Sequence, residues 1–160
     1  MTMRLLPLAI LLLAPEFLQA QARPDCALHP ASLTQMRHCY RPLLVFSPSA
    51  TDARLVRQQS TLDRAADDMM DRFVLFTPVV TKFTNYQPPL DTPYVLLSQK
   101  ELAAIRNHFQ IPENQFTVLL LGEDGAIVLR STTPVTIARL NELIDGMPDR
   151  QLEMQRPHAN

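Results

Sequence analysis

Apolar residues recur along this chain with two different periods, and the alternation between them lays out the elements. Leu43, Leu44, Val45 and Phe46 form a short continuous apolar run, the pattern of a strand covered on both faces. Leu55, Leu62, Ala66, Met69 and Phe73 follow at steps of seven, four, three and four, one face of a helix that Thr51 or Asp52 can cap. Residues 73–80 read as a second strand; Pro78 removes one ladder donor, so the strand frays there or lies at an edge. Ser98 and Glu101 have capping-box spacing ahead of a helix that shows Leu102, Ile105 and Phe109 on one side and breaks at Pro112. Residues 116–121 and 126–130 pair across Glu123-Asp124-Gly125, because an Asp-Gly dipeptide tolerates the positive φ of a twisted hairpin. Thr133, followed by Pro134, caps a last helix whose buried face is Ile137, Leu140, Leu143 and Ile144, and Gly146-Met147-Pro148 stops it.

The order is β-α-β-α-β-β-α. A parallel β-α-β opening joined to an antiparallel hairpin and a closing helix predicts an α/β domain with a thioredoxin-like core, a mixed sheet with helices on both faces. The predicted division is a cleavable signal peptide at 1–22, a cysteine-containing lead-in at 23–42, the domain at 43–148 and a polar tail at 149–160. An irregular insert, 81–97, interrupts the domain and holds Phe83, Tyr86, Pro88, Pro89, Pro93 and Tyr94.

The N-terminus reads as an address. Arg4 precedes an apolar run at 5–14 broken only by Pro7, and Ala20-Gln21-Ala22 has the spacing a signal peptidase accepts. The run is too short for a hydrocarbon core that needs about 20 helical residues. The expectation is a periplasmic or secreted protein with no stable membrane anchor after cleavage; a buried N-terminal helix is the other reading. Formal charge is -1, with acids and bases interspersed, so no nucleic-acid partner is expected. None of the three glycines belongs to a phosphate-cradling run, and no cofactor is expected.

Thiol chemistry in such a fold needs C-x-x-C where the first strand meets its helix, since the helix dipole there favours thiolate. This chain has Ser47, Pro48 and Ser49 at that place, and Phe116 where a proline usually precedes the third strand. Its two cysteines, Cys26 and Cys39, lie upstream with 12 residues between them. In an exported chain they read as a structural disulfide. The functional alternative is a peroxiredoxin-like thiol oxidoreductase using Cys39 and Cys26, with Arg37, His38 and Arg41 near Cys39 in sequence to lower a thiol pKa. Cys26, His29, His38 and Cys39 also make a candidate zinc or copper set, although the spacing matches no strong zinc pattern. Ser47 and Ser49 superficially suggest a nucleophile elbow, but the glycines of that turn are missing. Asp67, Asp68 and Asp71 read as solvated surface. Phe83, Tyr86 and Tyr94 are either rigid binding contacts or core residues under a folded-over loop. The charges of the tail read as solvated first, and as a docking strip second.

Several stretches together carry a family resemblance: Arg41-Pro-Leu-Leu-Val-Phe-Ser-Pro-Ser49, Val118-Leu-Leu-Leu-Gly-Glu-Asp-Gly125, Leu129-Arg-Ser131, and Ile144-Asp-Gly-Met-Pro-Asp-Arg150 with Glu153-Met154. In that order they resemble the exported, thioredoxin-like domain of unknown function 4174 family, found in bacterial proteins and in vertebrate extracellular sushi-repeat proteins. The resemblance implies a peroxiredoxin-related fold and export, and supplies no reaction, substrate or catalytic residue. Two departures stand out: the family pattern leads one to expect a second Met where Asp149 stands, and a Lys near Glu123. The combined expectation is a non-catalytic binding module for an unknown protein or small-molecule partner. It would use Ser47, Pro48 and Ser49 with the aromatic insert, and thiol oxidoreduction is the alternative.

Overall fold

The computed structural model describes residues 25–155; the signal-peptide expectation at 1–22 lies outside them. Four strands form one sheet in the order β2-β1-β3-β4. β1 (Arg41–Ser49) runs parallel to β2 (Val74–Lys82) and antiparallel to β3 (Thr117–Leu121), which turns back into β4 (Ile127–Ser131). β1 is central, which explains its unbroken apolar run: Leu43 and Val45 face one layer, Leu44 and Phe46 the other, and none is exposed. The same parity holds along β2, where Val74, Phe76 and Val80 oppose Leu75 and Val79. β2 is an edge strand, as Pro78 requires.

Helices cover both faces. α2 (Ala53–Asp63), α3 (Ala66–Asp71) and α5 (Ile137–Asp145) place Leu55, Leu62, Met69, Leu140 and Ile144 on the face of Leu43 and Val45. On the other face lie α4 (Gln99–Phe109), through Leu102, Ile105 and Phe109, and a short α1 (Leu33–Met36), through Met36. Each such side chain buried to a few per cent exposure contributes about 1.5–3 kcal/mol. No described helix is long and apolar enough to cross a membrane.

Three features depart from the sequence pattern. The helix expected to run to Phe73 divides at Arg64-Ala65, which places Asp67 and Asp68 in the first turn of α3, where carboxylates favour the free amides. The last helix starts after Thr136, not Thr133: the Val135 N–H donates to Gln58 Oε1 at 2.6 Å and its carbonyl accepts from Gln58 Nε2 at 3.1 Å, so residue 135 is held out of the helix. Ser98 caps α4 by accepting from the Glu101 N–H at 3.2 Å, but the Glu101 carboxylate takes the Leu33 N–H at 3.3 Å instead of closing the box. That bond ties α1 to α4. Beyond Gly146 the chain forms a further helix, α6 (Pro148–Gln155).

Candidate functional site

The end of β1 is a knot of hydroxyls and backbone. Ser47 is fully buried and its Oγ donates to the Ser49 carbonyl at 2.9 Å, while the Ser49 and Thr51 hydroxyls lie 3.4 Å apart. The Ala50 N–H donates to the Lys82 carbonyl at 2.9 Å, fixing this turn to the end of β2. Asp52 caps α2 through the Arg54 N–H at 2.9 Å and holds the Arg54 guanidinium at 2.6 and 3.0 Å. The Arg54 hydrogen bond, against the opposing effect of burial, keeps the Asp52 carboxyl below the usual range. From the opposite face, Arg106 donates to the carbonyls of Val79 at 2.7 Å, Ser47 at 3.3 Å and Pro112 at 3.2 Å, and its burial lowers its pKa. Among the described residues no imidazole or carboxylate is bonded to either serine hydroxyl.

Beside this turn a groove of about 520 Å³ runs between α2 and the insert, from Ala50 and Thr51 past Val56 and Gln59 to Asn85 and Leu90. Asp63 shapes its far wall. Its carboxylate accepts from the N–H groups of Leu90 at 3.1 Å, Asp91 at 3.4 Å and Thr92 at 3.1 Å, and from the Thr92 hydroxyl at 2.8 Å. Burial alone pushes the Asp63 pKa up, but these four bonds together outweigh it and hold the carboxyl below its ordinary value. Gln59 adds two ties, donating to the Gln87 carbonyl at 2.6 Å and accepting from the Tyr86 hydroxyl at 3.2 Å. Burial, then the nearby Tyr94 and Asp63, push the Tyr86 phenol up, so it stays a donor.

The aromatic candidates divide between the two readings. Phe83 and Tyr86 stack edge to face with centroids 5.2 Å apart and pack against the core. Tyr94 bridges to Phe76 at the outer side of β2 and stays 38% exposed. The groove instead presents Val56 and Leu90, 53% and 90% exposed, which the sequence pattern did not single out. A leucine between Pro89 and Asp91 in a stiff loop was the available signal for the second.

At the other end of β1, Cys26 and Cys39 form a disulfide with their Cα atoms 5.6 Å apart. The Tyr40 hydroxyl donates to the Ala27 carbonyl at 2.7 Å and braces the same loop. With both sulfurs bonded to each other, the set Cys26, His29, His38 and Cys39 offers two exposed imidazoles and no thiolate.

The sequence profile of a domain of unknown function, DUF4174, matches residues 32–153. The chain belongs to the DUF4174 family. No curated protein matches it. Among solved structures, thioredoxin peroxidase I of Plasmodium yoelii superposes with a TM-score of 0.57 at 18% identity, covering 80% of this chain and 84% of that one. An N-terminally modified Prx1a of the same organism gives the same values. StoA from Bacillus subtilis follows at 0.47 and 17%, covering 66% and 82%. The peroxidase likeness establishes a thioredoxin-like fold for this DUF4174 chain, and at that identity no more than the fold.

The stretches that carry the family resemblance converge in space. Arg41 has no exposed surface, yet its guanidinium donates to Glu153 at 3.0 and 3.3 Å, to Asp149 at 2.5 Å and to the Arg72 carbonyl at 2.9 Å, with Glu123 at 3.5 Å. Arg150 donates to the Asp71 carbonyl at 2.9 Å and to the carboxylates of Asp71 and Glu153. Arg72 takes Asp145 in a two-bond fork at 2.8 and 2.9 Å, and that bond above all holds the Asp145 carboxyl below its ordinary range. The tail expected to be solvated charge is thus a docked helix: Arg150 is 7% exposed and the Glu153 side chain 11%. Asp71, expected on open surface, is the exposed partner of Arg150. Among the described residues, Glu123, Asp149 and Glu153 are the one trio close enough to share a cation, and the Arg41 guanidinium supplies it.

Proposed function

We propose that this DUF4174 domain is a non-catalytic binding module that recognises its partner in the groove between α2 and the insert, beside the end of β1. One observation carries the reading. Where a thioredoxin-like fold keeps its reactive thiol, this chain has the Ser47 hydroxyl bonded to the Ser49 carbonyl and the Ser49 and Thr51 hydroxyls 3.4 Å apart. Its cysteines are joined to each other beyond the start of β1, about 25 Å away along the strand at 3.3 Å per residue. The groove's composition supports recognition: exposed Val56 and Leu90 supply apolar contact, and the amide-bearing Gln59, Asn85 and Gln87 supply orientation. The disulfide supports export, because cytosolic reductants keep such pairs open. Exchange through Cys39 is the less supported reading, since Arg41, one of the cations that would activate the thiol, is held by Asp149 and Glu153.

Site-specific photo-crosslinking in the native compartment tests this. A crosslinker at Leu90 should trap one discrete species, persist in the Cys26→Ser/Cys39→Ser double variant, and be abolished by Val56→Asp. Dithiol or peroxide turnover that vanishes in the double variant would instead establish the oxidoreductase.

A further inference from the structure

A second cavity lies at the opposite end of β1 from the groove. It measures about 220 Å³ and sits between the lead-in, α4 and the hairpin turn. Its floor is apolar: Met36, Pro42, Ile105, Phe109 and Leu121 line it, and each is buried. Its mouth is charged, and the charges are not equivalent. The two carboxylates there are already engaged, Glu101 by the Leu33 N–H at 3.3 Å and Glu123 beside Arg41 at 3.5 Å. The two basic groups there, Arg37 and His108, are exposed and make no hydrogen bond or ion pair with any described residue. The Arg37 guanidinium lies over the turn at Gly125, with Nε and Nη2 3.2 and 3.3 Å from where a side chain at that position would begin. Gly125, whose φ is +84°, leaves the space the guanidinium occupies.

We infer that this cavity is a binding site for a small organic carboxylate with an apolar body, the body on the Met36–Phe109 floor and the carboxylate on Arg37 and His108. Arg37 selects the anion, because its exposed guanidinium at the mouth has no carboxylate partner among the described residues. A planar guanidinium also matches a carboxylate in a two-bond fork. Size selects the body: an apolar cavity of about 150 Å³ holds benzene, so about 220 Å³ takes one ring or a chain of roughly six to eight carbons. The site is independent of the groove, which shares no lining residue with it.

The probes are octanoate, octan-1-ol and octylamine, titrated into the disulfide-intact protein and followed by backbone amide NMR. Octanoate should bind one to one with a Kd below about 1 mM, shifting the amides of Arg37, Ile105 and Gly125, while octylamine leaves them unmoved. Arg37→Gln, at an exposed position, should weaken octanoate by about tenfold or more without changing octanol. Ala104→Phe, which projects into the mouth from the exposed side of α4, should block both. Unfolding midpoints of the two variants confirm that they are folded. Octylamine binding as tightly as octanoate, an unchanged octanoate affinity in Arg37→Gln, or no octanoate binding to the folded parent would each overturn the inference.

Discussion

Replacing Arg41 with methionine tests whether the ion network at the start of β1 holds the fold. Methionine matches the stem of arginine but removes every bond of the guanidinium to Glu153, Asp149 and the Arg72 carbonyl. The cost follows from what is left behind. Asp149 is 40% exposed on its side chain and regains water, so its lost pairing counts for little. Glu153 and Glu123, at 11% and 12%, stay largely buried and lose the Arg41 guanidinium, although Glu153 keeps its bond from Arg150 at 3.3 Å. Breaking a buried pair by removing one partner costs roughly 3–5 kcal/mol, about a fifth or more of the stability of an ordinary domain. The thermal midpoint should fall by roughly 10–20 °C.

The location of the damage is the sharper readout. Amide exchange should speed up across α6 and at the first residues of β1, and hardly at all at the turn of Ser47 to Ala50. Adding Glu153→Gln to Arg41→Met should recover part of the loss, because it removes one of the largely buried carboxylates that Arg41 had offset; the pair then couples in a double-mutant cycle. A single variant within about 1 kcal/mol of the parent, or unchanged protection of α6, would refute the argument that these charges clamp the helix.

Asp63→Ala removes the acceptor of four bonds that define the insert, three of them to backbone N–H groups. A loss of about 2 kcal/mol is expected, with faster exchange at the amides of Leu90, Asp91 and Thr92; exchange no faster than in the parent would mean the insert is held by other contacts. Cys26→Ser/Cys39→Ser opens a loop of about 14 residues and should cost about 3 kcal/mol in the chain-entropy model, read as a lower urea midpoint. Acid should destabilise the domain in a defined window. Asp52, Asp63 and Asp145 have folded pKa values below their unfolded values of about 3.9, so the stability they add is complete above that pH and is lost as pH falls through the folded values. Unfolding free energy should therefore be flat in this respect from pH 7 to about 5 and fall below about 4, with a shallower fall in Asp145→Asn.

Most of the fold was readable because it depends on neighbours in sequence. The apolar run of β1, the Ser98 cap and the Asp124-Gly125 turn are local statements about burial, capping and positive φ, and each stands in the structure. What the sequence missed depends on partners far along the chain. The start of α5 is set by Gln58, 77 residues before Val135, and the shape of the insert by Asp63 at the end of α2. The charges of the tail looked solvated because helical spacing shows the face they share, and not the guanidinium 108 to 112 residues upstream that meets Asp149 and Glu153. The groove was half legible: the insert pointed to it, but Phe83 and Tyr86 turned inward and its exposed apolar contacts fell to Val56 and Leu90.

The stretches that make the chain recognisable and the residues that line the groove sit at opposite ends of β1. Arg41 opens that strand and gathers Glu123, Asp149 and Glu153, whereas Ser49 closes it next to the turn from which the groove begins. The recognisable positions therefore report how α6 is held on the sheet. Exchanging Val56 or Leu90, both exposed, alters the surface of the groove and leaves the clamp alone. An apolar side chain at Arg41 loosens α6 whatever the groove contains. Family membership thus transfers the fold, while the clamp is a property of this chain, in which Asp149 stands where the family pattern leads one to expect Met.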